Sequence, residues 1–259
     1  MDEIKELRKQ DFELIIAEKG FDKQLLVKDY YITVLLYLLR NIKAIYFKGG
    51  TALQKTILDH SRISEDIDFT ITESIANVRE EINQAINSSN LFGTITHDKN
   101  VDTFVRLIVP YNTSFGKGEI FIDLNERGKL LTQYETLKIK NFYQNIPPFS
   151  FPCLSREEMV AEKVAAAICR NKPRDHYDIY QIIKNKIPIN MKIVEQKCKL
   201  SDHEFSIIKM FNNAKKLKKR WDEDLGPLLI EQVTFQEMMK TLAKHFKLKD
   251  EKEKLKNNR

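Results

Sequence analysis

Lys48 to Phe69 reads KGGTALQKTILDHSRISEDIDF, and the fold can be read from how that stretch begins and ends. It begins where the apolar run Ala44-Ile45-Tyr46-Phe47 meets Gly49 and Gly50. The run predicts a buried strand. The glycines allow positive φ and bring bare backbone N–H groups close to a ligand, and Thr51 opens an amphipathic helix through Leu53, Ile57 and Leu58. Exposed N–H groups at a helix start, with the helix dipole behind them, form an anion site to which Lys48 adds a point charge. At the other end, Ser64 to Ile71 alternates, with Ile67, Phe69 and Ile71 on one face and Asp66 and Asp68 on the other. Carboxylates two residues apart on a strand stand about 6–7 Å apart at the backbone and can converge on one cation. Without a cation, like charges about 5 Å apart at an effective dielectric of about 20 repel by about 3 kcal/mol. The order is therefore a phosphate-shaped turn followed by a strand suited to a hard metal ion.

Working outward, residues 3–18 and then Lys23 to Arg40 carry apolar residues at helical spacing, with Gly20 as the stop between them. Both read as scaffold. Ile75 to Ile86 predicts a helix, while Leu91 to Thr96, Thr103 to Val109 and Glu119 to Asn125 read as strands. Asp123 lies in the last of these, and a carboxylate in an apolar strand either points to solvent or meets a cation. Three prolines within Asn145 to Pro152 end any helix or central strand, which places a domain boundary at 146/147.

The stretch resembles the signature of the polymerase-β-like nucleotidyltransferase superfamily. In the form KGGTAL followed by Arg62-Ile63-Ser64-Glu65-Asp66-Ile67-Asp68-Phe69, it is similar to the AbiEii/AbiGii toxin nucleotidyltransferases. The resemblance implies an α+β fold, with a catalytic domain over 1–146 that includes the N-terminal helices and has a small mixed sheet. A helical domain over 147–259 would contribute to the nucleotide cleft. It implies Mg2+ or Mn2+ on Asp66, Asp68 and Asp123, and a nucleoside triphosphate held by Lys48, Gly49, Gly50 and Thr51, with Arg62 and Ser64 shaping the loop or touching phosphate. It also implies transfer of a nucleoside monophosphate to an acceptor hydroxyl, which in some relatives is the 3′ end of tRNA. The setting it implies is a cytoplasmic toxin of a toxin–antitoxin or phage-defence system, with an antitoxin resembling a transcriptional regulator. A small-molecule nucleotidyltransferase of the antibiotic-modifying kind and an inert nucleotide- or RNA-binding regulator are the alternatives.

Beyond the prolines, Ser155 with Glu157 and Glu158 predicts a helix start, and a second helix opens at Arg174-Asp175-His176-Tyr177-Asp178. From the residues alone, Asp175 is a helix cap and Lys163 a solvated lysine. The family's later motifs match Lys163, Arg174, Asp175 and Asp178, which implies a catalytic Lys163–Asp175 pair beside the nucleotide, flanked by Arg174 and Asp178. Helices are expected over Ile187–Cys198, Ser201–Phe211 and Thr234–Phe246, followed by a frayed helix or disordered end from Lys247. Lys215 to Arg220 is the densest basic run. Either it follows an RNA backbone with Trp221 stacked on a base, or it is a solvated face with Trp221 as a core anchor.

The net charge of +6 agrees with an anionic partner without requiring one. Cys153, Cys169 and Cys198 form no C-x-x-C pair, and the five histidines show no ligand spacing, which argues against zinc and a disulfide framework. Met1 to Glu6 is mixed in charge, unlike a secretory signal, and the apolar run Tyr30–Leu39 is too short to span a bilayer, so no membrane partner is expected.

Overall fold

The computed structural model describes residue 4, residues 7–101 and residues 103–257. The chain divides into two compact units, Met1–Ser155 and Arg156–Arg259. The first unit runs α1 (Lys9–Lys19), α2 (Lys23–Leu39), β1 (Ile45–Lys48), α3 (Gly49–Thr56), β2 (Asp66–Ile71) and α4 (Ile75–Asn87). It continues with β3 (Thr96–Val101), β4 (Phe104–Thr113), β5 (Gly116–Asn125), β6 (Glu135–Lys138) and β7 (Ser150–Cys153).

Its strands form one seven-stranded sheet in the order β3-β4-β5-β2-β1-β7-β6. Parallel pairing joins β2 to β5 and β1 to β7, and the other neighbours are antiparallel. The sheet is mixed, as expected, but not small. The segment after the proline cluster returns as β7, which pairs with both β1 and β6. For that reason the units part after Ser155 rather than at 146/147.

Alternation decides which face of the sheet is core. Phe47, Phe69 and Phe151 are fully buried, with ring centroids 5.6–5.8 Å apart across β1, β2 and β7. Lys48 and Asp68, each next in sequence to one of these rings, therefore face the other way. Helix α2 is buried on nearly every side, as its all-round apolar sequence requires, and Asp22 caps it by accepting from the Gln24 and Leu25 amides.

The second unit is helical: α5 (Arg156–Arg170), α6 (Pro173–Lys184), α7 (Met191–Leu200), α8 (Ala214–Leu225), α9 (Phe235–His245) and α10 (Leu248–Asn257), with short 3₁₀ turns at Ile207–Phe211 and Gly226–Leu228. Several element boundaries differ from the sequence reading. Residues 91–95 are irregular, tied to β4 by the Gly93 amide donating to the Pro110 carbonyl at 2.8 Å. Pro188 and the Asn190 cap delay α7 to Met191. The Ser201–Phe211 stretch holds only a 3₁₀ turn, and the tail forms the helix α10. The expected start of the first helix at residue 3, the charge pattern of Met1 to Glu6, and Asn258 and Arg259 lie largely or wholly outside the described residues. No helix among the described residues is long and apolar enough to cross a membrane.

Candidate active site

Strand β1 ends at Lys48 and α3 begins at the next residue. Gly49 sits in the left-handed region at φ +77°, and a Cβ there would collide with the Asp68 carboxylate. Only glycine fits both demands. Lys48, at the cap position, makes no side-chain cap hydrogen bond, so its side chain does not claim the amides at the start of α3. A Cβ on Gly50 would lie 3.1 Å from both the Arg62 guanidinium and the Ser64 hydroxyl, so the loop ahead of β2 packs directly on this turn. The buried Thr51 hydroxyl lies 2.9 Å from the Ser64 hydroxyl and donates to the Asp66 carbonyl. Arg62 is buried as well, its guanidinium donating to the Ile63 carbonyl at 2.9 Å and its amide accepted by Gln54 Oε1 at 3.3 Å. The Thr51 and Arg62 side chains thus fix the loop against the turn.

Four charged residues, two cations flanking two carboxylates, lie in a row across four neighbouring strands. Lys48 on β1 is opposite Asp68 on β2, Asp68 is opposite Asp123 on β5, and Asp123 is opposite Arg106 on β4. Arg106 forks onto Asp123, Nε donating to Oδ1 and a terminal nitrogen to Oδ2, both at 2.7 Å. Hydrogen bonding to Asp123 raises the Arg106 pKa above its ordinary value, with Asp66 and Asp68 adding to the effect. Asp66 is pushed up by burial first. Lys28 and Arg106 pull it down, while Glu65 and Asp123 push it further up. Its anion is incompletely compensated as the chain stands.

In the second unit, the Lys163 amino group lies 3.1 Å from Asp175 and 3.0 Å from Asp178. Arg170 forks onto Asp175 with two bonds of 2.8 Å. Burial alone would raise Asp175, but Lys163 and Arg170 outweigh it and hold the carboxyl well below its ordinary value. Both carboxylates are buried, as is Lys163. Arg174, half-buried, donates to the Asp224 carbonyl at 3.3 Å.

Residues 40–245 match the family described as nucleotidyl transferase AbiEii toxin, type IV toxin–antitoxin system. The chain belongs to the AbiEii family. It is therefore a nucleotidyltransferase and the toxin of a type IV toxin–antitoxin system, which implies a nucleoside triphosphate substrate and a cognate antitoxin. Among solved structures it resembles MenT4, a nucleotidyltransferase toxin of Mycobacterium tuberculosis, at 20% identity and TM-score 0.69 over 91% of this chain and 88% of that one. It also resembles JHP933 of Helicobacter pylori, at 20% identity and TM-score 0.58 over 92% of this chain and 98% of that one. At these identities the likeness is one of fold. No curated protein matches the sequence.

In this AbiEii chain the expected Asp66, Asp68 and Asp123 share one face of adjacent strands, but both Asp123 oxygens are engaged by Arg106. Among the described residues, no group of three or more His, Cys, Asp or Glu side chains is arranged to hold a metal ion. Asp66 and Asp68 fit a divalent ion on other grounds: they offer hard oxygen donors, and the half-buried Asp66 anion lacks full compensation. Trp221 is buried, donates Nε1 to the Val233 carbonyl at 3.0 Å and meets Phe235 edge-on. It is a core anchor and has no face to offer a base, while Lys215, Lys216, Lys218 and Lys219 are exposed.

Sequence reading missed Arg106, whose only signal was a charged residue on the half-open face of an alternating strand. It also missed a buried network behind α3. There the Lys55 amine pairs with Asp29 at 2.6 Å and donates to Thr33 at 2.9 Å, and the Tyr143 hydroxyl donates toward Asp29 at 3.1 Å. Burial lowers the Lys55 amine, with Asp29 opposing that effect. The network ties α3, and with it the glycine turn, to α2.

Proposed function

We propose that this toxin transfers a nucleoside monophosphate from a nucleoside triphosphate to an acceptor hydroxyl on RNA, for which the 3′ end of tRNA is the leading candidate. Its setting would be the cytoplasm, and its antitoxin would resemble a transcriptional regulator. One observation carries the reading: the strand that bears the incompletely compensated Asp66 sets Asp68 against a glycine turn that opens a helix. In the reaction, the acceptor oxygen forms a bond to the α-phosphorus, the bond from that phosphorus to the α–β bridging oxygen breaks, pyrophosphate leaves, and the hydroxyl proton passes to solvent.

The amides of Gly50 and Thr51 bind the terminal phosphates, and Lys48 adds charge beside them. Asp66 and Asp68 would hold Mg2+ or Mn2+; such an ion would screen phosphate charge and make a hydroxyl a better nucleophile at neutral pH. Arg62 and Ser64 keep the turn in shape. Asp123 completes the row. In the helical unit, Lys163, oriented by Asp175 and Asp178, is the candidate cation for a phosphate, with Arg174 as a further one.

Purified chain incubated with each of the four labelled triphosphates, magnesium and total tRNA tests this directly. Label on RNA 3′ ends that requires both magnesium and Asp66 supports the proposal. Pyrophosphate release with no labelled RNA would reject the acceptor, and label transfer that survives Asp66→Asn would reject the metal mechanism.

A further inference from the structure

Three carboxylates are brought onto one face, and one of them is gripped by a guanidinium. The Arg106 fork occupies both oxygens of Asp123 at 2.7 Å, a geometry that a planar guanidinium fits and that leaves no Asp123 oxygen without a strong donor. Arg106 is kept on this face by more than its partner. Its guanidinium lies 5.0 Å from the centroid of Phe121, and Phe121 is the register neighbour of Asp66.

We propose that Arg106 stands in for a second metal ion, so that the resting chain binds one divalent cation, on Asp66 and Asp68, while Asp123 is held by Arg106 instead of by metal. The inference rests on the reading that Asp66 and Asp68 hold a metal. It assigns Arg106 as a positioning residue that keeps Asp123 out of the ion's coordination shell and sets how many ions the site accepts. A guanidinium does not lose its charge at any ordinary pH, so this cation is permanent.

Mn2+ binding to the purified chain, counted from the loss of the free-ion electron paramagnetic resonance signal, tests it without reference to turnover. The parent chain should bind one Mn2+, and Asp66→Asn should weaken that site by about tenfold or more. R106M should gain a second, comparable Mn2+ site. The double variant R106M/D123N removes one charge of each sign and keeps the local balance. It should return to one Mn2+ with an affinity within about threefold of the parent, and it covers the case in which R106M alone does not fold. Two ions on the parent chain, or about a tenfold loss of the parent site in R106M/D123N, would overturn the assignment of Arg106 and leave the metal reading intact. No Mn2+ bound by the parent chain or by R106M would overturn both.

Discussion

In the second unit, Asp175 and Asp178 are matched by Lys163 and Arg170, sealed from water, and Asp175 is held firmly as an anion. In the first unit, Asp66 is raised rather than lowered, because burial and its acidic neighbours outweigh Lys28 and Arg106. The two clusters use the same residue types, and the difference between them is compensation. A buried carboxylate whose charge is answered inside the fold contributes to the fold. One whose charge is not fully answered calls for something from outside it. The Asp29–Lys55 pair behind α3 is of the first kind, both side chains being 1–2% exposed.

The contrast would break first at Asp66. Asp66→Asn should lower nucleotidyl transfer about a thousandfold or more, roughly 4 kcal/mol of transition-state stabilisation, with thermal unfolding unchanged or slightly improved. Unfolding at a lower temperature would mean that this cluster, too, is structural. Lys163→Met should do the opposite and cost about 3 kcal/mol or more in urea unfolding, since it leaves Asp178 and part of Asp175 buried without their cation. If Lys163 also serves the departing phosphates, turnover measured on the folded fraction will fall as well. Turnover unchanged per folded molecule would confine Lys163 to the scaffold.

His60 sharpens the comparison by pH. It lies 3.5 Å from the Lys55 amine, and burial first, then Lys55, lowers its pKa from 6.5 to about 4, against the opposing pull of Asp29 and Asp59. The folded-state value is below the unfolded one, so the neutral imidazole's contribution is complete above pH 6.5 and is lost as pH falls through about 4. That loss should approach about 3 kcal/mol, and His60→Gln should flatten the stability profile across this window. The smallest effect belongs to Arg170, whose side chain is 53% exposed. Arg170→Gln should cost under about 1 kcal/mol, because water screens its charge and Lys163 still serves Asp175.

Local pattern carried much of this protein. Strict alternation in Asp66 to Ile71 put the two carboxylates on one face and the phenylalanine core on the other. Two glycines before an amphipathic run announced the turn, and Gly20 ended a helix where its chemistry demands. These features depend on neighbours within a few residues, so the order of side chains along the chain determines them. Its motifs also led to the family. The tertiary structure decided what depends on register and on contacts distant in sequence. The pairing of β7 with β1 moved the unit boundary past the prolines. The register of β4 on β5 put Arg106, seventeen residues away, onto Asp123. The packing of α3 on α2 buried Lys55 against Asp29. A charged residue reads the same in sequence whether it faces water, a ligand or its opposite, and only the strand or helix that comes to lie beside it settles which.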